Sequence, residues 1–365
     1  MLWRIWHLVI KEFLALFKDW RSRIVVTLPP LIQLVVFGYA ATFDLNRVPY
    51  AVYDEDRGRW AQEVLARLRG SPIFQETRQI HHDREIAPLI DRREVLFVIH
   101  LGPRFSEKIA RDEIAPVQIL IDGRNSNTAL IILGYLRDIL INFNIQQMPA
   151  PVSNYLVTRA WFNENLQSQW FIIPGIVALL TLVVTIMTTT LTVAREREQG
   201  TFDQLLVTPL TPFEILVGKT IPPFVIGIAE GSIIVIAAIW WFEVPLRGQL
   251  WILYSGLVVF LIAAIGAGLM ISSLAVTQQQ GLMGAFTFVV PSVILSGFAT
   301  PIENMPEPVQ QITHLNPMRY FLVIVRTTFL ADPPFALLWP QFWPMAIIGL
   351  VTLILAAWLF RHRLY

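Results

Sequence analysis

Glu230 makes the sharpest chemical demand of any residue in this chain, because it puts a carboxylate near the middle of the apolar run from Ile221 to Phe242. On insertion scales a charged group at such a place costs about 2.5–3.5 kcal/mol, so the side chain faces protein or water, or stays protonated. Two uses are open. The carboxyl lines a cavity, where it recognises a cationic substrate or relays a proton. Alternatively it hydrogen-bonds to Gln33 or to a Ser or Thr of a neighbouring helix, beside Gly227 and Gly231, whose small-xxx-small spacing favours close helix packing. Thr185, Thr188, Thr189, Thr190 and Thr192 in the preceding apolar run suit packing and backbone hydrogen bonds better than a substrate site.

Other chemistry-bearing residues carry less. Asp54, Glu55 and Asp56 suit a solvated turn. His81 and His82 are adjacent, hence on opposite faces of a strand, and no Cys or His lies at ligand spacing, so no metal site is expected. Asp122, Gly123, Arg124 and Asn125 form a turn into a helix, with Asn125 or Ser126 as its N-cap. Gly218, Lys219 and Thr220 look like the end of a phosphate-binding loop. Phe213, however, stands where G-x-x-x-x-G-K needs its first glycine, so the chain has no nucleotide site of its own and no catalytic residues are assigned.

The elements that position these residues are mostly apolar: 55% of the 365 residues are hydrophobic and 15% charged, with mean hydropathy +0.55. That composition belongs to a polytopic α-helical membrane protein. A helical crossing needs ~20 apolar residues, because lipid offers the backbone no hydrogen-bond partners. Six stretches qualify, at about Ile24 to Phe43, Trp170 to Val193, Ile221 to Phe242, Leu250 to Val276, Leu282 to Ala299 and Leu337 to Phe360. The net charge of +1 excludes nothing, but its placement is informative. Arg4, Lys11, Lys18, Arg21 and Arg23 precede the first span, Arg195, Arg197 and Lys219 follow the second, and Arg361 and Arg363 follow the sixth. With six spans all three groups share one side, which the positive-inside rule makes the cytoplasm, along with both termini. Residues 1–23 suit an amphipathic helix lying at the cytoplasmic interface, with Trp3, Trp6, Phe13 and Phe17 set among the cations. Gly38, Tyr39 and Ala40 have the sizes of a signal-peptide cleavage site, but the long basic lead and Pro29, Pro30 and Gln33 argue against one.

Residues 44–169, between the first two spans, hold more than half the charges. Strands at Pro49 to Tyr53, Ile73 to Ile80, Val95 to Leu101 and Val117 to Ile121 alternate with helices at Arg59 to Arg69, Asp83 to Asp91, Pro103 to Arg111 and Thr128 to Phe143. Such alternation predicts an inserted extracytoplasmic α/β domain with an at least partly parallel sheet. Cysteine is absent, so this domain must hold together on its own core.

Two irregular segments interrupt the membrane half. Residues 194–219, AREREQGTFDQLLVTPLTPFEILVGK, form a charged loop containing two helix starts. One is Thr201 with Gln204; the other is Thr211 with Pro212 and Glu214, in the reciprocal pattern of the capping box. Phe202, Leu205 and Leu206 make one apolar stripe on the short helix between them, which Pro209 stops. So short a helix wants a partner surface. Residues 296–321 carry Gly297, Pro301, Glu303, Pro306, Pro308 and Pro317, which cannot continue a membrane helix, so the chain dips and returns or lies at the outer surface. Arg319 and Arg326 beyond it are expected to snorkel toward outer headgroups.

The loop at 194–219, the stretch SGFATPIENMPEPVQQITHLNPMRYF at 296–321 and the insert after the first span together resemble an ABC transporter permease of the type 2 exporter class, similar to bacterial multidrug-efflux permeases over essentially the whole length. The resemblance implies that the first loop contains a coupling helix docked in a groove of a separate ATP-binding subunit. Glu196, Arg197, Glu198, Gly200, Thr201, Leu205, Leu206 and Pro209 are the residues at matching positions. It implies that 296–321 is a re-entrant hairpin capping the translocation path on the outer side. It further implies a bacterial inner-membrane location, with ATP and Mg used by the partner ATPase and no cofactor on this chain. The partners implied are that ATPase, a second identical or similar permease, membrane lipids and a periplasmic adaptor protein, with no nucleic acid among them. Two other readings weigh against this one. A membrane receptor binding a ligand in its α/β domain would need an intracellular effector domain. A proton-coupled secondary transporter would need more intramembrane charge than Glu230 and repeat symmetry.

Overall fold

The computed structural model describes residues 2–18, 20–40, 47–124, 126–147, 162, 167–201 and 210–362. The chain divides into two compact units, Met1–Thr42 with Ala160–Tyr365, and Phe43–Arg159.

All the secondary structure described in the first unit is helical. α1 (Leu2–Lys18) is amphipathic, with Leu8 and Val9 buried and Trp3, Trp6, Leu14 and Phe17 exposed. α2 (Trp20–Ala40) carries Pro29 and Pro30 in its interior. α7 (Ser168–Glu198), numbered after the elements of the second unit, is the central helix: α2, α8 (Pro212–Trp240), α9 (Leu250–Leu274), α10 (Gln278–Ile294) and α12 (Pro317–Leu330) all pack on it. Its residues are apolar or threonine on nearly every face, as a fully surrounded helix requires. α13 (Phe335–His362) lies along α9. Trp339, Trp343, Ile347, Leu350, Ile354 and Trp358 of α13 remain exposed, a face that in a bilayer meets acyl chains or another helix. Between α10 and α12 the chain breaks into a 3₁₀ turn at Ile302–Asn304 and the short helix α11 (Glu307–Thr313). Pro306 caps α11 and Pro317 opens α12, so these prolines fall where a helix begins and needs no amide donor.

The second unit holds β1 (Val48–Asp54), α3 (Arg59–Arg69), β2 (Phe74–Ile80), a 3₁₀ turn at Asp83–Glu85 leading into α4 (Ile86–Asp91), β3 (Phe97–Leu101), α5 (Phe105–Ala110), β4 (Val117–Ile121) and α6 (Ser126–Gln147). The sheet order is β2-β1-β3-β4; β1 runs parallel to both β2 and β3, and β4 closes the edge antiparallel to β3. Val48, Tyr50 and Val52 alternate onto one face, where Phe97, Leu65, Leu68, Ile132 and Leu136 complete the core; Ala51 and Val98 bury the other face against Ile86 and Leu89. Every expected element is found here, within a few residues of its boundaries.

The chain is thus mostly helical and polytopic, but its spans do not count out as the sequence suggests. Among the described residues five helices are long and apolar enough to cross a membrane: Thr128–Ile145, Ser168–Glu198, Phe213–Trp240, Leu250–Leu274 and Phe335–Phe360. The last four match expected spans. The first, within α6, belongs to the α/β unit and buries Ile132, Leu136 and Phe143 in that core, so its apolarity partly reflects domain packing. The expected first span contributes only the shorter apolar stretch Thr27–Tyr39, residues 41–46 lying outside the described residues. The expected fifth, in α10, is 17 residues long and begins with three glutamines.

Candidate functional site

The end of α7 gathers charges from two other elements, α1 and α8. Lys219 of α8 is wholly buried, and its ammonium donates to Glu196 Oε2 at 2.5 Å and to Glu12 Oε1 of α1 at 3.2 Å. Lys11 of α1 bonds the other oxygen of Glu196 and lies 3.4 Å from Glu12. Glu12 is 3% exposed and Glu196 6%. Two ammonium groups and two carboxylates therefore balance: Glu12, Glu196 and Lys219 are buried and paired, the condition under which buried charge is tolerated, and Lys11 reaches them from a half-exposed position. Burial of Lys11 works against its charge, but Glu196 and Glu12 outweigh this and hold the ammonium above its ordinary value of 10.5. Alongside, Arg195 donates to the Ala15 carbonyl at 3.1 Å, Arg197 to the carbonyls of Ser273 (2.8 Å) and Ala275 (3.2 Å), and Glu198 accepts from the Gln278 amide at 2.9 Å.

α7 then stops in a Schellman arrangement. Gly200, at φ +67°, supplies the left-handed residue, its amide bonds the Arg197 carbonyl at 3.1 Å, and the Thr201 amide bonds the Glu196 carbonyl at 3.0 Å. The Thr201 hydroxyl also turns back to Glu196. α8 begins at the expected capping box: the Glu214 amide donates to Thr211 Oγ1 at 3.3 Å and Glu214 Oε2 accepts from the Thr211 amide at 2.8 Å. Thus Glu196, Arg197, Glu198, Gly200 and Thr201 are drawn together, turned inward onto α1, α8, α9 and α10. Leu205, Leu206 and Pro209, with Phe202 and Gln204, lie outside the described residues. The sequence signalled the loop's ends through cap residues, whereas the ion cluster joins positions far apart in the chain and left no local signal.

Glu230 sits on the buried face of α8, 9% exposed, and neither carboxyl oxygen has a hydrogen-bond partner among the described residues. The bond to Gln33 or to a Ser or Thr is not formed. A methyl group at Gly227 would lie 2.8 Å from Thr185 Oγ1 and 2.5 Å from Leu261 Cδ2, so any side chain there would push those two aside, and glycine lets α8 approach α7 and α9 without it. Thr181, Thr185 and Thr188, spaced along one face of α7, bury hydroxyls that also lack partners, while Thr189 and Thr192 bond back to their own helix and Thr190 reaches the Gly268 carbonyl. Unpaired buried polar atoms are rare, so these hydroxyls and the Glu230 carboxyl stand out among the described residues.

In the interrupted segment, Gly297 lends its carbonyl to Arg326, Pro301 caps the 3₁₀ turn containing Glu303, and Pro306 and Pro317 start α11 and α12. Asn316 ties this hairpin together, capping α12 through the Met318 amide (3.1 Å) and donating to the Ser292 carbonyl of α10 (2.6 Å). Within the protein, Arg319 folds onto Thr313 and the Gln310 carbonyl, and the Arg326 guanidinium lies 3.8 Å from the ring centroid of Phe171.

In the α/β unit the Asp54–Asp56 turn is self-satisfied. Asp54 accepts from the amides of Asp56 and Arg57 and from Gln62, and Asp56 accepts from Gly58 and Ser106. His82 caps the following 3₁₀ turn with Glu85, and Asn125 lies outside the described residues.

Residues 20–358 match the family described as ABC-2 family transporter protein. The chain is 37% identical over 366 residues, spanning the full length of both proteins, to the probable multidrug ABC transporter permease YbhR of Escherichia coli K12. It is 31% identical over 338 residues, 90% of this chain and 89% of the other, to the probable multidrug ABC transporter permease YbhS of the same organism. It is 27% identical over 378 residues, 99% of this chain and 97% of the other, to its inner membrane transport permease YhhJ. An interior built of apolar helices and a loop fastened at both ends agree with these matches, and the chain belongs to the ABC-2 family of transporter proteins.

Proposed function

We infer that this chain is the membrane-spanning permease subunit of an ATP-driven exporter, moving amphiphilic substrates, drugs or lipid-like molecules, out of the cytoplasm or inner leaflet. It works as one of two permeases joined to two copies of a separate ATPase, in a bacterial inner membrane and with both termini cytoplasmic. Six crossings, by α2, α7, α8, α9, α10 and α13, carry it, and an adaptor protein meets it on the far side. The names of the relatives support the substrate class and the location.

One observation carries the mechanism: the two ends of the 194–219 loop are welded to each other and to α1 by Lys219, Glu196 and Glu12. The apolar stripe that the sequence predicts at Leu205 and Leu206 would offer an ATPase its handle, just ahead of the cap Thr211 that starts α8. A push on such a loop is delivered to α7, α8 and α1 as one body, since a balanced buried cluster does not part without exposing unpaired charge. Nucleotide-driven closure of the ATPases would then move the central helix, and with it the buried hydroxyls of Thr181 and Thr185.

The test is isolation of the tagged permease from its native membrane. An ATPase subunit should accompany it, with hydrolysis stimulated by amphiphiles. A permease that exports substrate alone, with no ATPase attached, would refute the reading.

A further inference from the structure

α6 is apolar on almost every face, and the core of its own unit covers only one of them. Ile132, Leu136 and Phe143 lie in that core. Nearly opposite, Leu130, Leu133, Gly134, Arg137, Asp138 and Ile141 fall at i, i+3, i+4, i+7, i+8 and i+11, so they make one stripe along the helix, and all six are exposed. A helix that is apolar all round belongs where it is covered all round, but Leu130 is 68% exposed here.

Two features of the stripe say what covers it. Arg137 and Asp138 stand side by side at its centre, and neither makes an ion pair or hydrogen bond among the described residues. Hydrocarbon is a poor cover for two such charges. One turn earlier, Gly134 weakens the helix, and nothing in the described chain requires it: a methyl group there would meet no atom within 4 Å. A glycine in the middle of an exposed helix face leaves a notch, and Ile141, one turn beyond the charges, is the size of side chain that fills one.

The stripe is complementary to itself. With a second α6 laid antiparallel about a twofold axis between Arg137 and Asp138, Arg137 meets the partner's Asp138 and Asp138 meets the partner's Arg137. Gly134 then faces the partner's Ile141, because the two lie three residues from the charged pair on opposite sides. An isologous contact needs this kind of self-matching surface. We propose that the outer face of α6 joins two copies of this chain in this antiparallel register, the apolar residues supplying the buried area and the crossed charges fixing the register. This contact presupposes the pair of permeases inferred above and gives that pair a surface.

The chain holds no cysteine, so introduced ones report alone. The full-length permease is made in its membrane as two differently tagged copies, one with Gly134→Cys and the other with Ile141→Cys, and oxidised before any detergent is added. A covalent pair carrying both tags should form in at least tenfold greater yield than from two Gly134→Cys copies, whose cysteines would stand about 10 Å apart along the helices, too far to bridge. Adding Arg137→Asp to both copies sets carboxylate against carboxylate twice and should cut that yield tenfold or more; adding Asp138→Arg as well should restore it. Equal yields from the two cysteine arrangements overturn the register, and a yield indifferent to Arg137→Asp overturns the role of the charges. Tags that co-purify without any cross-link overturn this surface and leave the permease pair standing. Tags that never co-purify overturn both, as they would if the partner were a different permease. If Arg137→Asp does not fold, the cysteine pair still decides, because it leaves both charges in place.

Discussion

Lys219 and Glu196 stand on opposite sides of a loop, 23 residues apart in sequence, and their side chains meet at 2.5 Å with the lysine fully buried. This contact closes the loop at its base, and Glu12 joins α1 to the same lysine.

Breaking the pair from one side should be severe. Lys219→Met leaves two buried carboxylates with only Lys11 to face them, a loss of about 3–5 kcal/mol by the behaviour of other buried pairs. Lys219→Met combined with Glu12→Gln restores the balance of one cation to one carboxylate and should recover most of it. Thermal unfolding of the two variants in detergent checks this; equal stability of the single variant and the parent would show that the cluster contributes nothing to the fold.

Glu230→Gln separates the roles open to that carboxyl, since it changes charge and keeps shape. If Glu230 meets cationic substrates in a low-dielectric site, export of cationic amphiphiles should fall far more than export of neutral ones, by at least ~1.4 kcal/mol or tenfold. Tolerance of cells to matched cationic and neutral toxic amphiphiles, with membrane levels of the protein measured in parallel, reads the difference. An equal loss for both sets, with less protein present, would assign the residue to structure.

Topology is accessible because the chain has no cysteine. Single cysteines at Gln204, Gln279 and His362 should react with a membrane-impermeant thiol reagent only after lysis. Ones at Arg92 and Gln249 should react in intact spheroplasts. Labelling of position 204 from outside would overturn the six-span arrangement.

The α/β unit carries a titrating contact between its strands. His100 on β3 bonds Glu55 at 2.8 Å and Gln118 of β4 at 3.0 Å, and stacks on Tyr53. Burial lowers its proton affinity, but Gln118 and Glu55, with Asp83 nearby, outweigh it and hold the imidazole above its ordinary 6.5. The folded form thus binds the proton more tightly than the unfolded chain. The stabilisation is complete below pH 6.5 and is lost as pH rises through the raised value. Hydrogen exchange of the β3 and β4 amides in the intact protein, corrected for intrinsic rates, should show less protection at about pH 8.5 than at about pH 6. His100→Gln should remove the difference, and a parent without pH dependence would contradict the assignment.

The sequence carried the local features well. The strands and helices of residues 48–147 followed from alternation and caps, and the start of α8 followed from Thr211, Pro212 and Glu214, because both signals lie within a few residues. The close approach at Gly227 was legible from its spacing to Gly231. What escaped depends on distance in the chain. Glu12, Glu196 and Lys219 come from three helices, and each alone has the look of a solvated surface charge. Nothing in the sequence around Arg326 announces its contact with Phe171, 155 residues earlier. The α6 window looks like a span by composition, since a helix covering a sheet and a helix crossing a membrane draw on the same apolar residues.

ATP-dependent transport in inverted vesicles holding the permease and its ATPase tests the central claim most directly, with the parent compared with Leu205→Arg. On the proposed topology that substitution spares the spans and sets a charge in the apolar stripe proposed to dock. It should weaken ATPase binding by at least ~2 kcal/mol, about thirty-fold, and abolish both amphiphile uptake into the vesicles and substrate-stimulated hydrolysis. Normal ATPase co-purification, hydrolysis and uptake in the variant would contradict the account, because the loop would then not be where ATP-driven movement enters the permease.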